Sequence, residues 1–245
     1  MSDPFFRKGE TPVYAAFFLI LFVQIVFALF LRPVDSFYDV VPPVPTERSA
    51  AIQFLGDREL AYRFLGTQIQ NFGDTGGNNT ALKDYDFEKL SRWFFLQNSL
   101  NEKSDYIPFL AAYLFGGTQD PSKLPPVIDY LAIVGNNAEG EKWRWLAQAV
   151  YSSRFQLKDN DLALALSYKL SALYRSGMPA WTKQMPAFIQ LHMGDDEAAY
   201  LFMRGLLAES HEGMHPNEVN FMVDYICNRL DIPQARNDPL CTDVD

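Results

Sequence analysis

The sequence predicts an all-α protein: one N-terminal transmembrane helix, then an α-solenoid of paired helices. Three observations carry that prediction. Residues 13–31 read VYAAFFLILFVQIVFALFL, nineteen positions with no charge and one amide, Gln24. Residues 32–47 hold four prolines, at Pro33, Pro42, Pro43 and Pro45. From residue 48 to 231 apolar side chains recur at helical spacing, broken by short polar turns, with almost no alternating strand pattern.

The first segment sets the class. At about 1.5 Å per residue, nineteen residues span roughly 28 Å, close to the hydrocarbon thickness of a bilayer. Val26 and Ala28 offer a small-residue pattern for a cut after Ala28, but the apolar run continues through Leu31. It also exceeds the usual core of a cleaved signal, so a retained signal-anchor is the expectation. Arg7 and Lys8 precede the span and only Arg32 follows it closely. Basic residues stay on the cytoplasmic side, which places residues 1–12 inside. In a bacterium the body then lies in the periplasm, tethered to the inner membrane. Residues 32–47 read as a semi-rigid proline-rich spacer, since repeated proline blocks helix and favours extended geometry.

Composition narrows the function classes. The chain is 48% hydrophobic and 15% aromatic, enough to fill a core, and its net charge is −9. Nucleic-acid binding wants a concentrated basic face, so nucleic acid is not an expected partner.

Within 48–231 the periodicity predicts helices over about 57–71 and 85–99, 105–116 and 121–134, 141–156 and 159–174, 179–193 and 195–209. A last helix begins at Pro216 and runs to about Leu230, leaving 232–245 as a tail. Asp120, Asp159 and the Asp195–Asp196 pair stand where they would cap the second helix of a pair. Ala112, Ala149 and Ala187 recur at intervals of 37 and 38, within the range of two-helix repeats.

Here the chain resembles the tetratricopeptide and related helical-repeat families. Leu65–Gly66 matches the leucine-glycine of the first helix. Trp143, Leu146 and Ala147, in Trp143-Arg-Trp-Leu146-Ala147, match the aromatic-x-x-leucine-small start of a first helix, and Gly194 through Ala198 match the turn that opens a second helix. The likeness covers about residues 57–231. The period exceeds the consensus of about 34, Pro186 falls inside a helix, and the proline expected between repeats is mostly missing. What the resemblance implies is a non-catalytic, membrane-anchored scaffold or assembly factor that binds other proteins of an envelope complex. A permanent accessory subunit of a larger membrane complex is the alternative.

Candidate sites follow from residue type. Trp93, Trp143, Trp145 and Trp181 are candidates for a partner-binding groove, because tryptophan concentrates in binding hot spots; helical spacing equally suits a packed core. Cys227 and Cys241 are the two cysteines. Either they bridge, closing a loop worth about 3 kcal/mol in an oxidising compartment, or they are separate thiols. His211-Glu212-Gly-Met-His215 has the spacing of a zinc protease helix. Gly213 weakens such a helix, and Pro216 pushes His215 out of it, so a zinc hydrolase is a minor alternative and no catalytic residue is named. Met178, Met185, His192 and Met193 read as pliable core rather than copper ligands. Asp74-Thr-Gly-Gly reads as a turn. No cofactor is expected.

Overall fold

The computed structural model describes residues 11–31, 39–75, 78–137, 139–209 and 214–241. It divides into two units, Met1–Asp39 and Val40–Asp245. In the first, helix α1 runs Thr11–Leu31, 21 residues and therefore about 31 Å. It is long and apolar enough to cross a membrane, by length and composition, and its position near the N-terminus also suits a signal sequence.

The second unit is helical, apart from a two-residue antiparallel ladder pairing Asp74 with Asn79 and Thr75 with Asn78. Its helices are α2 (Glu47–Gln53), α3 (Arg58–Gln70), α4 (Phe87–Leu100), α5 (Tyr106–Phe109), α6 (Pro125–Gly135), α7 (Trp143–Tyr151) and α8 (Asn160–Ala172). They continue with α9 (Trp181–Met193), α10 (Asp196–Glu209), α11 (Pro216–Arg229) and the single turn α12 (Pro233–Arg236). From α6 onward each packs on its neighbour in sequence, and α4 also packs on α6.

Local chemistry sets the starts. The carboxylates of Asp57, Asp86, Asp159 and Asp195 accept the backbone N–H three residues on, at 2.9–3.0 Å, satisfying donors that a first helical turn leaves open. Asp120 caps the short 3₁₀ turn Pro121–Lys123 instead, accepting from Ser122 at 3.1 Å. Gly194, at φ 80°, ends α9 while Asp195 N–H reaches back to Gln190 O; the left-handed residue there is an ordinary C-terminal cap. Pro186 lies inside α9 and is buried.

Three sequence expectations change. The proline-rich segment is not all spacer, because Val41 is buried and Pro42 O accepts the Trp93 indole N–H at 2.9 Å. The first helix of the unit is α2, begun by Thr46, whose hydroxyl accepts from Ser49 N–H. Beyond residue 231, Ile232, Leu240 and Cys241 pack on the core around α10 and α11, so that part of the expected tail is folded.

One large core runs from Val41 to Ile189, and a smaller one joins Ala187, α10, α11 and α12. Helix α9 serves both, Ile189 facing the first and Ala187 the second. In the large core Phe94 lies between Phe115 and Tyr130, ring centroids 5.5 and 5.2 Å away. The tightest crossing is at Gly135, where a Cβ would come within 2.1 Å of Leu146 N. Only hydrogen fits there, and that lets α6 and α7 meet.

Candidate functional site

Two helices depart from α geometry in the same way. After Phe109 the chain makes a π-helical turn, Leu110–Leu114, then a 3₁₀ turn, Phe115–Gly117. After Tyr151 it makes another π-helical turn, Ser152–Leu157. Leu110 and Ser152 are 42 positions apart, and burial follows the same register. Ile107, Pro108, Leu110 and Ala111 face inward, as do Ala149, Val150, Ser152 and Ser153. Phe109 and Tyr113 face solvent, as do Tyr151 and Phe155.

Each outward pair stacks on itself, at 5.1 Å for Phe109 with Tyr113 and 4.8 Å for Tyr151 with Phe155. The Arg154 guanidinium covers the Phe155 ring at 4.5 Å, a favourable cation–aromatic placement. Gln156 Nε2 donates to Gly116 O at 3.0 Å, tying the two helix ends side by side. Burial, with the Arg154 charge, lowers the pKa of His192 near the end of α9. Each pair is exposed, and Arg154 lies on the second. π-helical turns of this kind are frequent at functional sites.

A second feature is a polar cleft of about 630 Å³ at the α4–α5 and α6–α7 turns, lined by Arg58, Asn101, Asp105, Asn137 and Lys142 among others. Lys142 is 6% exposed, and its ammonium donates to Asp105 Oδ1 at 2.8 Å and to Ser104 O at 2.7 Å. Trp145 Nε1 donates to the same carboxylate oxygen at 2.7 Å. Burial works to raise the Asp105 pKa, but these two donors outweigh it and hold the carboxyl below its usual range. The cleft wall is thus a neutralised ion pair that braces two turns.

Three of the four candidate tryptophans are buried and one is partly exposed. Trp93 is buried against Pro42 and Phe72. Trp145 is buried on Asp105. Trp143 is buried and stacks on Trp181 at 5.8 Å, leaving Trp181 as the partly exposed member. Their rings are large enough to be worth more inside. The residues missed in sequence, Phe109, Tyr113, Tyr151 and Phe155, carried a legible signal: aromatics four apart on the side opposite the buried positions.

Of the histidine candidates, His211 and Glu212 lie outside the described residues. His215 is described, and it has extended backbone at ψ 138°. Its Nδ1 accepts from Asn217 N–H at 3.2 Å, which makes it the cap of α11. It therefore precedes a helix rather than lying on one, and the continuous helix that a zinc protease needs is not formed at that position. Among the described residues no three His, Cys, Asp or Glu side chains converge on a metal-sized site.

Cys227 and Cys241 are joined in a disulfide, Cα atoms 5.5 Å apart. Beside it Asp238 is 2% exposed, accepting from Arg204 Nε at 3.0 Å and from Tyr200 OH at 2.9 Å. The C-terminal segment is thus pinned to α11 covalently and to α10 electrostatically. Comparison with family models, with curated proteins and with solved structures finds no match to this chain.

Proposed function

We propose that this is a single-pass membrane protein whose helical body binds another protein, as a scaffold or assembly factor of an envelope complex. Helix α1 would be the retained anchor, and the body a tetratricopeptide-like solenoid in the periplasm of a bacterial inner membrane. The observation that carries the reading is the aromatic face. Two neighbouring helices hold Phe109 with Tyr113 and Tyr151 with Phe155 outward in one register, with Arg154 over Phe155. Aromatics and arginine are the residues that dominate protein–protein hot spots, and repeat folds bind through extended helical faces. The disulfide supports an oxidising compartment. Packing of each helix from α6 onward on its sequence neighbour supports the solenoid.

The same face suits a permanent accessory subunit, since apolar surface of this kind is covered in obligate complexes. Photo-crosslinking in cells separates these readings from a catalytic one. A benzophenone residue at position 113 or 155 of the tethered protein should trap one discrete partner, and one at Leu201 should not. With membranes isolated and diluted before irradiation, a transient scaffold would no longer give that product, whereas a permanent subunit would. Absence of any discrete product at 113 and 155 contradicts both.

A further inference from the structure

The α2–α3 turn exposes apolar side chains in a way the aromatic face does not explain. Leu55 is 100% exposed, Ile52 63%, and Leu60 and Phe64 51% each. Leu55 also has φ 57°, left-handed backbone that glycine tolerates and a leucine does not favour. The turn is nevertheless held firmly. Leu55 N–H bonds to Ile52 O, Gly56 N–H to Ala51 O and Asp57 N–H to Phe54 O, at 2.8–3.0 Å, and Phe54 stacks on Phe64 at 5.2 Å. Water alone gives no reason to hold a leucine rigidly outward at a conformational cost.

We infer that this turn is a membrane-docking tip, with Leu55, flanked by Ile52, entering the interfacial region of the bilayer that holds α1. The inference rests on reading α1 as a retained anchor. Two observations select lipid as the occupant. Residues 32–39 are all that separate the end of α1 from the start of the second unit, and eight residues reach at most about 30 Å. The whole second unit is thereby tethered at high effective concentration to the bilayer that would hold α1, so a weak contact from an apolar site on it suffices. The second observation is charge. Residues 1–39 carry three bases and four acids, so 40–245 carries −8 of the net −9. Residues 47–63 hold Glu47, Asp57 and Glu59 against Arg48, Arg58 and Arg63 and are neutral. Within an acidic body, this apolar turn lacks the net negative charge that anionic headgroups would repel.

The test uses the full chain in phosphatidylcholine vesicles, with Leu55→Cys carrying a nitrobenzoxadiazole probe and lipids carrying doxyl quenchers. Leu201→Cys, at a leucine 61% exposed on α10, is the companion. The protein should float with the vesicles, and the probe at 55 should be quenched at least about two-fold while that at 201 is not. Flotation with neither probe quenched, or with both quenched alike, overturns the docking tip and leaves the anchor standing. Failure to float overturns the anchor and the docking with it.

Discussion

Lys142 and Asp105 form an ion pair 2.8 Å long whose basic member is almost wholly buried while its carboxylate side chain stays 57% exposed. The asymmetry determines which substitution hurts. Asp105→Ala leaves an ammonium inside the turn with only Ser104 O as partner, and should cost about 2–3 kcal/mol. Lys142→Met removes the charge and keeps the stem, and should cost less. Urea midpoints of the two variants give the comparison.

The same pair gives a pH signature. The folded Asp105 carboxyl sits below its usual value, mainly because hydrogen bonds from Lys142 and Trp145 overcome the opposing effect of burial. The folded state then binds fewer protons there than the unfolded state, whose carboxyl titrates near about 3.9. Its stabilisation is present above that value and lost as pH falls through the depressed folded one. The urea-midpoint difference between wild type and Asp105→Asn should therefore shrink from pH 7 toward pH 3. A difference that grows would reverse the assignment.

Gly135 leaves no room for added volume between α6 and α7. A Cβ there meets the Leu146 backbone nitrogen rather than a movable side chain, so Gly135→Ala should cost about 3 kcal/mol through separation of α6 and α7. Gly66→Ala meets only the Tyr106 and Ile107 side chains, at 3.2 Å or more, and should cost less. Thermal unfolding of the pair decides it.

The C-terminal segment has two fastenings that should act separately. Reducing the disulfide reopens a loop with a sequence separation of 14, worth about 3 kcal/mol or roughly 6–12 °C in Tm for a body of this size. Asp238→Ala leaves Arg204 and Tyr200 without their shared acceptor, at about 2 kcal/mol. Each should still destabilise the protein when the other fastening is already broken. A second loss of zero would mean the segment had come away entirely with the first.

Where the structure agrees with the sequence, the agreement is local. Helix positions from 57 to 230 were legible because aspartate caps, apolar spacing and Gly194 each act within a turn or two. The π-helical turns were not, since they replace an i+4 bond by an i+5 bond without a change in periodicity large enough to see over five residues. Long-range relations were also hidden. Trp93 bonds to Pro42 across 51 positions, and that bond draws half of an apparent spacer into the core. Nothing near Asp238 announces Arg204. Which tryptophan reaches the surface was also hidden, since ring size suits hot spots and cores alike and only burial separates the two. Cys227 and Cys241 left two alternatives in sequence, and their 5.5 Å Cα separation is bridging distance.

The proposed function requires that the aromatic face hold a partner. The decisive measurement is quantitative mass spectrometry on tagged full-length protein extracted gently from membranes, comparing wild type with Phe109→Ala/Tyr113→Ala/Tyr151→Ala/Phe155→Ala. These side chains are exposed, so unfolding midpoints should agree within about 0.5 kcal/mol per site. The account predicts a protein recovered in fixed ratio with wild type and depleted at least about ten-fold with the variant, the loss expected when hot-spot contacts go. Equal recovery with both, at unchanged stability, would contradict it.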